Sequence, residues 1–248
     1  LLDALLLQEN FAAIHQIRER FSVSAAKPRL RPDKRDLIQR CAERFSARMG
    51  ESQRLQTVAQ ILNSGNAKDP DGVRGYLRSL GVDAVPPLVE MLEILELPPN
   101  RRLVADVLAE LGKDFMPLLT SRLTHPSSNL VKEVLYVIDR INPPEKFALF
   151  THVLTHPNAV LRLETLTLIG RNEADECFET IKRVFLESQD AQMRAHAARM
   201  LPYHAPSKSV PVLMAVAAAD SFERRTEPEQ KSIFAALASI QAPEAQAY

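Results

Sequence analysis

Between Leu130 and Ile141 the apolar residues fall at Leu130, Val131, Val134, Leu135, Val137, Ile138 and Ile141, a spacing that covers most of a helix and leaves only a narrow polar stripe. Such a helix is expected to lie between neighbours on several sides. The same kind of pattern recurs along the chain, interrupted at intervals by proline, glycine or asparagine. Two amphipathic helices are expected in residues 1–50, one with Phe11, Ile14, Ile17 and Phe21 on its apolar side and one with Leu37, Ile38, Cys41, Phe45 and Met49. No alternating apolar and polar run with hairpin glycines appears, and seven glycines are few for an all-β chain of 248 residues. The fold class expected is all-α.

The interruptions are regular. The segment 123–140, LTHPSSNLVKEVLYVIDR, and the segment 154–171, LTHPNAVLRLETLTLIGR, are identical at nine of eighteen positions without a gap, where chance gives roughly one. An earlier pair, GVDAVPPLVEML at 81–92 and GKDFMPLLTSRL at 112–123, has the same offset of thirty-one and shares five of twelve positions. Together they define a unit of two helices, and units are expected at about 51–81, 82–112, 113–144, 145–172, 173–204 and 205–241. The last two are looser: Leu186, Met193, Arg194, Ala198 and Leu201 fit an offset of thirty-two, and a further helix is expected over 211–219.

Each break has a chemical cause. The residue before proline is pushed out of the α region, so a helix must stop at each Leu-Thr-His-Pro. Ser127, Ser128, Asn129 and Asn158 then offer side-chain oxygens to cap the next helix. Gly81, Gly112 and Gly170 suit a left-handed helix end, and Pro143 with Pro144 prevents continuation beyond Ile141.

A proline near the start of a first helix, an Asp or Asn between helices, and Val-Arg or Leu-Arg opening a second helix that ends in Leu-Gly resemble HEAT repeats, with armadillo repeats a close relative. Asp69-Pro70-Asp71-Gly72-Val73-Arg74 with Leu80-Gly81 carries the resemblance most closely, followed by Leu161-Arg162 with Ile169-Gly170. Leu130-Val131 lacks the arginine, and Met193-Arg194 leads to Leu201-Pro202 instead of Leu-Gly. The resemblance covers about residues 51–241. It implies a right-handed α-solenoid of about six antiparallel helix pairs over 51–248, preceded by an N-terminal helical cap over 1–50, and a binding or scaffolding role without a single activity.

The resemblance also implies that the second helices line one surface. Equivalent positions then form rows: Gly75, Arg78 and Val82; Asp106, Ala109 and Lys113; Glu133, Tyr136 and Arg140; Glu164, Thr167 and Arg171; His196, Arg199 and Tyr203. Each trio is spaced i, i+3, i+7, which is one helical face. Lys113, Arg140 and Arg171 give a basic edge ending in Tyr203. Arginine and tyrosine are frequent anchors of protein interfaces, so a peptide or helix with spaced acidic residues is the expected partner. The alternative is that these are ordinary solvated helix faces.

Charge and chemistry refine the picture without supplying an active site. Thirty-one basic and thirty-one acidic residues cancel, which argues against a chain built mainly to coat nucleic acid. The balance is uneven: residues 18–48 hold ten basic and four acidic residues, and residues 49–248 carry a net −4. That local excess, with a basic linker over 22–32, keeps open a nucleic-acid-binding module or a helix pair that docks on acidic surfaces; a HEAT-like enzyme or lyase subunit is a further alternative. His152 and His156 stand four apart but lack the glutamate of a zinc-protease pattern, and His125 recurs at the repeat position of His156, which favours a local packing or capping role. No phosphate loop or nucleophile motif is present, so no catalytic, cofactor or metal site is expected. Cys41 and Cys177 have no disulfide-scaffold spacing, the leading LLDALLL lacks the features of a signal peptide, and no run is long enough to span a membrane; a cytoplasmic protein is expected. The leucine at position 1 points to a piece of a longer, multidomain chain.

Overall fold

The computed structural model describes residues 1–27, 30–171 and 175–240, and those residues contain helices and turns with no strand. Residues 28 and 29 of the expected basic linker, and the expected unit boundary at 172–173, lie outside them. The chain divides into two compact units, Leu1–Pro143 and Pro144–Tyr248. The division falls at the double proline.

The first unit contains α1 (Leu2–Leu7), α2 (Phe11–Ala25), α3 (Pro32–Met49), α4 (Ser52–Asn63), α5 (Pro70–Arg78), α6 (Val85–Ile94), α7 (Pro98–Leu111), α8 (Met116–Ser121) and α9 (Ser128–Ile141). The sequence pattern missed α1: the leading apolar run is a short helix whose Leu2 and Leu6 are buried where it packs on α2 and α4. Beyond it, α4 packs on α6, while α5, α7 and α9 pack side by side in that order. Helix α2 lies against α5. Val104, Val107 and Leu108 of α7, and Leu130, Val131, Val134, Leu135, Val137 and Ile138 of α9, are almost fully buried, as the α9 periodicity requires.

The second unit contains α10 (Lys146–Val153), α11 (Ala159–Ile169), α12 (Asp175–Glu187), α13 (Ala191–His204), α14 (Pro206–Ala217) and α15 (Glu227–Ser239). Helices α11, α13 and α15 pack in sequence, and α10, α12 and α14 each pack on the next helix in the chain. Helix α14 opens at Pro206, earlier than the expected start near Pro211, because a proline at the first helical position costs no hydrogen bond.

The predicted breaks occur, and of the four expected caps Ser127 and Asn158 act as such while Ser128 and Asn129 lie inside α9. His125 is extended before Pro126 (ψ 141°), Ser127 Oγ accepts from the Leu130 N–H at 3.4 Å, and Asn158 Oδ1 accepts from the Leu161 N–H at 3.0 Å. The two repeat histidines do the same work: Nδ1 of His125 accepts from the Ser127 N–H and Nδ1 of His156 from the Asn158 N–H, both at 3.1 Å. The glycine expectation is corrected. Gly81, Gly112 and Gly170 have φ of −87°, −86° and −69°, so none is left-handed. Left-handed residues stand after other helices: Glu9 (φ 55°) after α1, Gly65 (φ 70°) after α4, and Asn142 (φ 55°) after α9, ahead of the double proline. A Cβ at Gly170 would displace the flexible end of the Met200 side chain.

Tyr76 ties the N-terminal helices to α5. Its hydroxyl donates to the Met49 carbonyl at 2.6 Å, its ring meets Phe11 edge-on at 5.7 Å, and burial pushes its phenol well above the usual range. Tyr76→Phe leaves that buried carbonyl without its donor and is expected to lower stability by about 1–2 kcal/mol in urea unfolding. An unchanged midpoint would mean that the carbonyl is satisfied by water.

Candidate functional site

Polar side chains on the successive second helices meet in pairs within each unit. In the first unit, the Arg102 guanidinium of α7 stacks 3.6 Å over the Tyr136 ring of α9, and the Tyr136 hydroxyl donates to Asp106 Oδ1 at 2.5 Å. Burial, then the bond to Asp106, raises the Tyr136 phenol. Glu133, one helical turn away, is 4% exposed; its Oε2 lies 3.8 Å from Arg102 Nε and accepts no hydrogen bond. Burial raises its carboxyl, with Arg102 and Arg101 opposing. Arg78 reaches Glu110 across α5 and α7 at 3.9 Å, both side chains more than half exposed, so the pair contributes little.

The second unit repeats the design with different groups. Arg162 Nη2 of α11 meets Asp190 Oδ2 at 2.6 Å, and Thr167 lies 2.9 Å from His196 Nε2. That hydrogen bond from Arg162, assisted by the Gln192 and Met193 amides against a burial penalty, lowers the Asp190 carboxyl. Burial lowers the His196 imidazole, and Arg199 lowers it further. Between α13 and α15, Arg194 Nε donates to Glu229 Oε1 at 2.6 Å, and Arg199 Nη1 donates to Ser232 Oγ at 2.6 Å. Asp106–Tyr136, Thr167–His196 and Arg199–Ser232 therefore each join one helix of the series to the next, the first two between different positions of the predicted rows.

The predicted rows thus divide by environment. Asp106, Tyr136, Thr167 and His196 are half-buried and bonded to one another in pairs, Glu133 is buried, and Glu164 is half-buried. Arg78, Lys113, Arg140, Arg171, Arg199 and Tyr203 are exposed, Tyr203 at 85%. Two rows lie wholly within one helix, those of α9 and α13. Val82, Lys113 and Arg171 fall beyond the ends of α5, α7 and α11, so their places in the rows are set by turns. His152 is exposed on α10, while His156 is buried in the loop after it with its Nδ1 already engaged.

The sequence marks Arg162 and Arg194 as repeat positions but not as residues of the candidate face, and it does not mark Arg101 at all. Arg101, Arg162 and Arg194 each sit near the start of a second helix and send Nη1 back to the carbonyl six residues earlier: Leu95 at 3.0 Å, His156 at 2.8 Å and Ser188 at 2.6 Å. Each thereby closes the loop that precedes its own helix. The signal in the sequence was the Leu-Arg or Met-Arg at one repeat position together with an acid 28 residues after Arg162 or 35 after Arg194.

No helix among the described residues is long and apolar enough to cross a membrane. No family model matches the chain, and no curated protein matches it.

Proposed function

We propose that this protein is a non-catalytic protein–protein interaction scaffold, a right-handed α-solenoid of HEAT-like helix pairs that works in the cytoplasm. Its second helices present a face to a peptide or helix with spaced acidic residues. The observation that carries this reading is the serial packing of α5, α7 and α9 in one unit and of α11, α13 and α15 in the other. Stacking of like units leaves an extended surface in place of a closed pocket. The paired polar side chains support the same reading, because Asp106 with Tyr136 and Thr167 with His196 hold neighbouring helices in register while Arg140, Arg171, Arg199 and Tyr203 remain exposed.

Exposed arginines and a tyrosine, on helices or in the turn after α11, supply bidentate donors and a large contact area. The test uses a partner captured on the full chain, then purified. Arg140→Glu together with Arg171→Glu is expected to weaken its binding by about tenfold or more, chiefly through slower association at low salt. Unchanged affinity at unchanged helix content sinks the proposal.

A further inference from the structure

The pair α2 and α3 carries a second surface, on none of the second helices. Helix α3 turns Ile38, Phe45 and Met49 inward, and Phe45 meets Phe21 of α2 with ring centroids 5.8 Å apart. Its outer side carries Lys34, Leu37, Cys41, Arg44 and Arg48, at i, i+3, i+7, i+10 and i+14, and all five are exposed. That spacing makes one straight stripe of about 21 Å at 1.5 Å per residue. It holds three cations, two apolar side chains and no acid. Of the neighbouring acids, Asp33 lies 3.9 Å from Arg31 and Glu43 accepts from Gln39 at 3.2 Å, while Asp36 is exposed beside Leu37 and outside the stripe. Leu37 is 55% exposed in the middle of the stripe.

We infer that this stripe is the seam on which a partner protein's helix docks, one with a narrow apolar edge flanked by acidic residues. The alternating three- and four-residue spacing is the one a helix presents to another helix lying along it. The three unpaired cations select the sign of the flanks. A second copy of this chain does not fit, because an antiparallel α3 would set Lys34 of each copy beside Arg48 of the other and a parallel one would set each cation beside its own counterpart. A nucleic-acid backbone would press phosphates against Leu37, and the stripe has no aromatic side chain for a base to stack on. Two modest apolar side chains are too few to anchor a helix in a bilayer.

Cys41 provides the reporter, since it is exposed and Cys177 is buried. The full chain, labelled at Cys41 with bimane, is titrated with a helical peptide of about three heptads, leucine at the seam and glutamate on both flanks. The matching lysine-flanked peptide, duplex DNA and phosphatidylserine vesicles are run in parallel, and calorimetry on unlabelled chain repeats the peptide titration. The expected result is a saturable blue shift with the glutamate peptide alone, with binding weakened about tenfold or more in Lys34→Glu/Arg44→Glu at unchanged circular dichroism. Absence of saturable binding to the glutamate peptide, equal affinity of the double variant, or tighter binding to DNA or vesicles than to that peptide overturns the inference.

Discussion

Replacing Glu229 by alanine is expected to destabilise the second unit by about 3–5 kcal/mol, because it strands charge that is buried around it. Glu229 is 1% exposed at the third position of α15, and its carboxylate gathers four donors: Arg194 Nε at 2.6 Å, Arg225 Nη1 at 3.2 Å, and the hydroxyl and N–H of Thr226 at 2.8 and 3.0 Å. The last two are the reach back to the helix N-cap that spares an orphan amide. Burial alone would raise this carboxyl. The bonds from Arg194 and Thr226 outweigh it and hold the group at about 2, against an ordinary 4.5.

A depressed carboxylate contributes stability above its unfolded value and loses it as pH falls through its folded value. The contribution here, about 3 kcal/mol, is therefore present above pH ~4.5 and disappears toward pH 2. Thermal melts of the wild-type chain and Glu229→Gln between pH 7 and pH 2 check it. The two Tm curves should converge as pH drops, and curves that stay parallel would show that the charge of Glu229 plays no part.

The second large effect is expected at Phe150, where truncation to alanine should cost about 3–5 kcal/mol. Phe150 is fully buried in α10, a helix of only eight residues whose other buried side chain is Val153. A helix that short does not hold itself together in water, so α10 exists through what it packs against. Hydrogen exchange should accelerate first in α10 and in α11, against which it packs, with a corresponding drop in the urea midpoint. Exchange that is unchanged in α10 would place the anchor elsewhere.

Local rules made much of the helical layout legible. The prolines Pro126 and Pro157 end helices, Ser127 and Asn158 cap the helices after them, and six of the seven apolar positions of α9 are buried, Ile141 at its end being half-buried. These effects act over three or four residues, so a linear pattern records them. The candidate faces were only partly legible. The predicted rows matched Asp106 with Glu133 and Thr167 with Arg199, whereas the contacts formed are Asp106 with Tyr136 and Thr167 with His196, about one helical turn away in each case. Glu133 and Arg140 belong to one predicted row on one helix, yet the first is buried and the second exposed.

The sequence by itself determined the all-helical class and most of the breaks, because proline geometry, capping and the 3.6-residue period are local. Tertiary structure alone decided which arginines organise the faces, and that left-handed residues stand at Glu9, Gly65 and Asn142 and not at Gly81, Gly112 or Gly170. It also decided that the apolar run at the start is a packed helix. Those outcomes depend on distances between residues tens of positions apart, which helix packing sets and no local pattern encodes.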